Sequence, residues 1–207
     1  MFTSKRNTDS SVWGKCYGKI DEAPEVILAW LWHMTSHERM AIHDGKNGNL
    51  LRVTDMSEKS RSQIYKCEFK VGMGVHNRRT TTKYHWFKLE PGNPSGREGY
   101  CMVWEPYYVS SKDYVEEGFT RNSIEAVSKG IYLIEKIANG RTKFTMVQQA
   151  TMGGRIPLWV ISWMIPHFLS LVFVVQEKYK KDGDSKQAHR NAHSVRGSIR
   201  RRSSIGF

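Results

Sequence analysis

Few places in this 207-residue chain bring together side chains capable of chemistry. His33 and His37 stand four apart with Glu38 and His43 nearby, the spacing at which a helix presents a metal face. Thr35-Ser36 with Glu38 also reads as a helix cap, and a cap between the two histidines puts them on different elements. Gly72-Met73-Gly74 starts like a dinucleotide loop but lacks the third glycine and opens no obvious helix. Arg200-Arg201-Arg202 precedes Ser203 and Ser204, a pattern basophilic kinases prefer, so both serines are candidate phosphorylation sites. There is no phosphate loop, no nucleophile elbow and no convergent acid, base and nucleophile. Cys16, Cys67 and Cys101 are widely spaced, odd in number and without a metal pattern, as expected of free thiols in a reducing compartment. No metal and no cofactor are expected from these residues.

The net charge of +12 is unevenly placed. The segment from Lys178 to Phe207 holds nine Lys/Arg and two Asp/Glu, so most of the excess belongs to the tail. A basic tail is not a nucleic-acid-binding surface on the fold, and no nucleic-acid partner is expected. The N-terminus, MFTSKRNTDSS, is polar and has no apolar core of a secretory signal, which makes the expected location cytoplasmic.

The elements that must position any binding site are mostly strands. Val12–Ile20 has the aromatic and β-branched content of one. Asp21 is placed to cap a helix with Pro24 in its first turn and Glu22 and Glu25 nearby, running to about His33. A second short helix follows Thr35-Ser36 to about Asp44. Asn49–Met56, Gln63–Val71, Thr80–Leu89 and Tyr100–Val109 then read as strands at hairpin spacing, which makes an antiparallel sheet. Residues 110–126 are polar and read as loop. Lys129–Ile137 and Thr142–Thr151 form a hairpin about Asn139-Gly140, and Gly153-Gly154 and Pro157 launch a long apolar helix. Helices segregated from an antiparallel sheet make the chain α+β. Residues 1–11 and 181–207 read as disordered, leaving a domain at 12–180.

At these residues the chain resembles the START domain family, lipid-transfer modules with the helix-grip fold. Gly130-Ile131-Tyr132-Leu133-Ile134-Glu135, Arg141-Thr142-Lys143-Phe144-Thr145 and Gly153-Gly154-Arg155-Ile156-Pro157 resemble the family's C-terminal motif. Gly18-Lys19-Ile20-Asp21 with Ala23-Pro24-Glu25-Val26 resembles its strand-to-helix junction. Arg78-Arg79 and Trp86 resemble its arginine-rich strand. The resemblance covers about residues 12–180. It departs at Thr151 and Arg79, where the family has acids, and at Tyr84, where sterol-binding members carry a cavity-facing arginine. Only eleven residues precede Val12, so the family's N-terminal helix and first strand are expected to be absent, as in a short form or a fragment of a larger protein.

The resemblance implies a curved antiparallel sheet closed by the C-terminal helix, with one lipid of unspecified class held between them, and no enzymatic activity. Tyr84 would offer an uncharged hydroxyl to the lipid. Met102 and Trp104 share one strand face, Met146 and Gln148 another, and Trp159, Ser162 and Trp163 one helix side, which makes them candidate lipid-lining residues. Met and Trp at such spacing also fill an ordinary core, and periodicity alone does not separate the two. The run Ile156–Val175 has no charged residue and is long enough to span a bilayer, so a membrane anchor on a lipid-sensing, regulatory domain is the alternative. Pro166 and His167 at its centre favour the lid. An anionic membrane surface is the expected further partner, drawn to the basic tail, with peripheral membrane association.

Overall fold

Along residues 14–20 the chain alternates between buried and exposed environments, the period of a strand with one face in the core. The computed structural model describes residues 3–6, 11–41, 49–56, 61–72, 74–90, 92, 96–110, 114, 118–154, 156 and 158–180. The strands are β1 (Thr3–Arg6), β2 (Ser11–Ile20), β3 (Asn49–Met56), β4 (Ser62–Phe69), β5 (Arg78–Leu89), β6 (Gly99–Pro106), β7 (Ile124–Glu125), β8 (Val127–Lys136) and β9 (Thr142–Thr151). They form a nine-stranded sheet in the order β1-β2-β9-β8-β6-β5-β4-β3, with β7 beside β5. All ladders along that path are antiparallel; β7 alone runs parallel to its partner. The fold is α+β, as the sequence implies.

Helices α1 (Pro24–Trp32), α2 (Leu158–Leu169) and α3 (Leu171–Lys178) pack against the sheet. Residues 37–41 are also helical. Helix α1 packs on β6 and β8, α2 on β2, and α3 on β2 and β9. They share the sheet face that carries Cys16, Ile20, Met102, Tyr132, Ile134, Phe144 and Met146, here called the inner face.

Several local expectations needed revision. The apolar run after Pro157 is two consecutive helices that meet at Ser170 rather than one unbroken helix, with Pro166 inside the first. The cap of α1 is Ala23 and not Asp21; the Glu22 carboxylate accepts the Ala23 N–H at 2.8 Å. Where disorder is expected in residues 1–11, Thr3–Arg6 pairs with Val12–Lys15 of β2. The stretch 110–126, expected as loop, includes the strand β7. Tyr114 and Phe119 are buried, and Tyr114 shares a 2.5 Å hydrogen bond with Thr81 on the outer face of β5. The tail 181–207, with Ser203 and Ser204, lies outside the described residues.

Candidate ligand-binding interior

The inner face is built from the even-numbered residues of β2, β5, β6, β8 and β9 and the odd-numbered residues of β4, as their register requires. At its centre four aromatic rings form a ladder across adjacent strands. Tyr84 stacks on Trp104 with centroids 5.7 Å apart, Trp104 meets Tyr132 at 4.6 Å, and Tyr132 meets Phe144 at 5.4 Å. Such pairs add about 0.5–1.5 kcal/mol each beyond their burial. Gly130 leaves the room this needs: a Cβ there would lie 2.3 Å from the Trp104 ring and 2.3 Å from the Val147 carbonyl.

The polar groups on this face are few. The Trp104 Nε1–H and the Gln148 Nε2–H both donate to the Ser128 hydroxyl at 3.0 Å. Gln63 Nε2 donates to the Trp32 carbonyl at 2.8 Å, while its Oε1 is buried without a hydrogen-bond partner among the described residues. Arg39 Nη1 donates to the Leu31 carbonyl at 2.6 Å, and its guanidinium lies 4.8 Å from the centre of the Trp30 ring. Burial, reinforced by Tyr84, holds the Tyr132 phenol far above its ordinary pKa, so it stays a neutral hydroxyl. Burial likewise pushes the Cys16 and Cys101 thiols up to about 11.

Helices α2 and α3 close over one end of this face. They approach β2 at Gly14 and Gly18, where added Cβ atoms would lie 2.8 Å from Leu169 and 2.6 Å from Gln176. Between β2, β9 and α2 a small space remains, lined by Val12, Gly14, Gln148, Ala150, Ile161, Ile165, Phe168 and Leu169. Its volume of about 10 Å³ is on the order of one water. That is far below the roughly 300 Å³ of a small-molecule site.

The closing helices are anchored by a buried arginine. Arg78 opens β5 and is 1% exposed. Its Nε donates to the Met152 carbonyl at 2.6 Å, its Nη1 to the His76 carbonyl at 2.5 Å, and its Nη2 to Gly153 at 3.4 Å. No carboxylate among the described residues forms an ion pair with it. Burial pulls its pKa below the usual value, but a guanidinium keeps its proton. Gly153 and Gly154 both have φ of 63°, and a Cβ on Gly153 would meet the Glu125 carbonyl at 2.2 Å, so β7 and Arg78 grip the turn that leads into α2.

Of the residues expected to line a lipid site, Tyr84, Met102, Trp104 and Met146 come together in the buried core of the inner face. Gln148 lies beside them and borders the small space under α2. Trp159, Ser162 and Trp163 sit on α2, with side chains outside the described residues. Tyr132, Gln63 and Arg39 belong to this interior but were not singled out from sequence. Tyr132 was legible as the residue between Gly130 and Ile134 on one strand face. Glu135 is on the outer face, 3.8 Å from both Arg97 and Lys143, and does not meet the interior.

No protein-family model and no curated protein sequence matches the chain. Solved structures do. The human StarD13 (DLC2) lipid transfer and protein localization domain superposes with a TM-score of 0.60 at 14% identity, covering 87% of this chain and 89% of that one. The fold is that of the START domains. Human STARD10 matches it equally well, with a TM-score of 0.60 at 14% identity over 91% of this chain and 78% of that one. The START-like fold also extends to the Zhui aromatase/cyclase from Streptomyces, with a TM-score of 0.52 at 8% identity over 86% of this chain and 98% of that one.

Proposed function

We propose that this protein binds one lipid molecule between the inner face of its sheet and helices α2 and α3, and carries it or reports its presence without a reaction step. The observation that carries this reading is the pairing of an apolar inner face with an apolar closing segment hung from a double-glycine turn. An acyl chain or ring system buried there gains about 25 cal/mol per Å² of apolar surface. The space between β2, β9 and α2 is by itself too small for a lipid, and in this reading α2 lifts about Gly153-Gly154 to admit one, as lids do. The resemblance to the human StarD13 lipid transfer domain, at a higher TM-score than to the cyclase, supports this reading over that of the cyclase.

Tyr84, Met102, Trp104, Met146 and Gln148 would meet the ligand, with Trp159, Ser162 and Trp163 contributed by the lid. The acceptor Gln63 Oε1 and the neutral Tyr132 hydroxyl would satisfy an uncharged polar group at its buried end. Among the described residues no helix is long and apolar enough to cross a membrane, since Ile156–Val175 is divided at Ser170. Contact with an anionic membrane, aided by the basic tail, would accompany loading and release. Native mass spectrometry of the purified chain after exposure to mixed phosphatidylcholine, sterol and diacylglycerol vesicles tests the reading. A stoichiometric lipid adduct is expected; a chain that remains empty with every lipid overturns it.

A further inference from the structure

Helices α1, α2 and α3 lie on the inner face, and among the described residues Tyr107, Tyr114, Thr120 and Ser123 bond to the outer face at β4 and β5. Across the rest of the outer face the register aligns apolar residues in rows. Tyr17, Thr145, Leu133, Cys101 and Phe87 lie side by side on β2, β9, β8, β6 and β5, with the polar Thr145 and the small Cys101 buried between their larger apolar neighbours. Val147, Ile131 and Val103 form the adjoining row. Tyr17 and Phe87, at the two ends, are 44% and 45% exposed. Lys15 and Lys19 flank Tyr17, and Lys129 stands beyond Ile131; all three are exposed and make no ion pair among the described residues. A sheet face that carries apolar rows is normally covered by another element.

We infer that this outer face is a docking surface for a partner protein's amphipathic helix with acidic flanks. Five strands spaced by about 4.8 Å span roughly 19 Å, the length of about 13 helical residues. Two rows on one sheet face suit the apolar stripe of a single helix, and the lysines at the margin select Asp or Glu beside that stripe. A second copy of the chain would set lysines against lysines, and the chain's own segment 181–207 is basic and would be repelled in the same way. A membrane is disfavoured by geometry. The aliphatic side chains between Tyr17 and Phe87 are half-buried rather than protruding, and docking by this face would turn the closing helices away from the bilayer.

The surface is tested by panning a display library of helical peptides of about 13 to 15 residues on the full chain. Enriched peptides should carry apolar residues at i, i+3, i+4 and i+7 with Asp or Glu beside them. Tyr17→Ala with Phe87→Ala trims the two most exposed side chains of the row and should weaken the enriched peptides about tenfold or more. Lys15→Glu, Lys19→Glu and Lys129→Glu together should reverse the charge preference, and lipid uptake should be the same in all these variants. The inference is overturned by peptides that bind the double alanine variant as tightly. It is equally overturned by enrichment without charge bias, by a dimer that the double variant dissolves, or by phosphatidylserine vesicles being the binder the double variant loses. None of these outcomes depends on whether the interior takes a lipid.

Discussion

The guanidinium of Arg78 holds the carbonyl of Met152 at 2.6 Å, joining the start of β5 to the last residue before the double glycine across 74 positions of sequence. Its partners are main-chain carbonyls, so it acts as a clamp on backbone and not as half of an ion pair. Arg78→Met leaves those buried carbonyls unsatisfied, a loss of about 1–3 kcal/mol. The opening of α2 should respond more than the global fold. Hydrogen exchange in residues 158–169 should accelerate while the β8–β9 amides keep their rates, and a uniform acceleration would reduce Arg78 to a general stabiliser.

Cysteine reactivity offers an independent view of the same motion. Cys16 lies on the inner face beneath the closing helices, whereas Cys101 points from the outer face; both are buried, with thiols pushed up to about 11. Both should resist a disulfide reagent at pH 8 in the folded chain, because the thiolate is scarce and covered. Arg78→Met should expose Cys16 well before Cys101. Equal labelling rates would mean that the sheet, and not the lid, comes apart.

Glycines on two strands should respond differently to alanine. At Gly130 the new Cβ would meet the Val147 backbone carbonyl, which cannot swing away. Gly130→Ala should therefore cost about 1–3 kcal/mol in urea unfolding, and trimming Trp104 should not restore it. At Gly14 the obstacle is the end of the Leu169 side chain. Gly14→Ala should cost less and be largely relieved by Leu169→Ala, a coupling that a double-mutant cycle measures directly. Additive effects at Gly14 would deny the close approach of α2.

Glu68 sets an acid limit to stability. Burial raises its pKa, but hydrogen bonds from Ser123, the Thr120 N–H and Asn77 outweigh this and leave it below the ordinary value of 4.5. A depressed carboxylate stabilises the fold above its unfolded pKa and loses that contribution as pH falls through the folded one. Glu68→Gln should therefore lower the melting temperature at pH 7, and the gap should close in acid. A gap constant down to pH 2.5 would show that the hydrogen bonds do not depend on the charge.

Much of this architecture was legible in the sequence because strands and tight turns are local. β3 and β9 lie where alternation puts them, and Asn139-Gly140 turns the last hairpin with φ of 63° and 68°. The cap at Ser36 is also present, its hydroxyl accepting the Arg39 N–H at 3.4 Å. What sequence hid is set by distant neighbours. β1 is four polar residues with no alternation, and only the ladder offered by β2 makes it a strand. β7 exists because β5 lies beside it. Arg78 stood out as part of a motif, but two of its partners, Met152 and Gly153, lie just past the end of β9. The interior candidates on the strands followed from period two; the depth of the space between them depends on how closely α2 approaches Gly14, which no periodicity encodes.

The short ladder of Thr3–Arg6 on Val12–Lys15 has a practical consequence. It covers hydrogen-bonding groups at the outer margin of β2, a position from which sheets recruit strands of other molecules. A chain cut just before Ser11 would offer that margin to its neighbours. It should self-associate with rising concentration in sedimentation runs while the full chain does not, and any shortened version prepared for crystallisation would do well to begin at Met1.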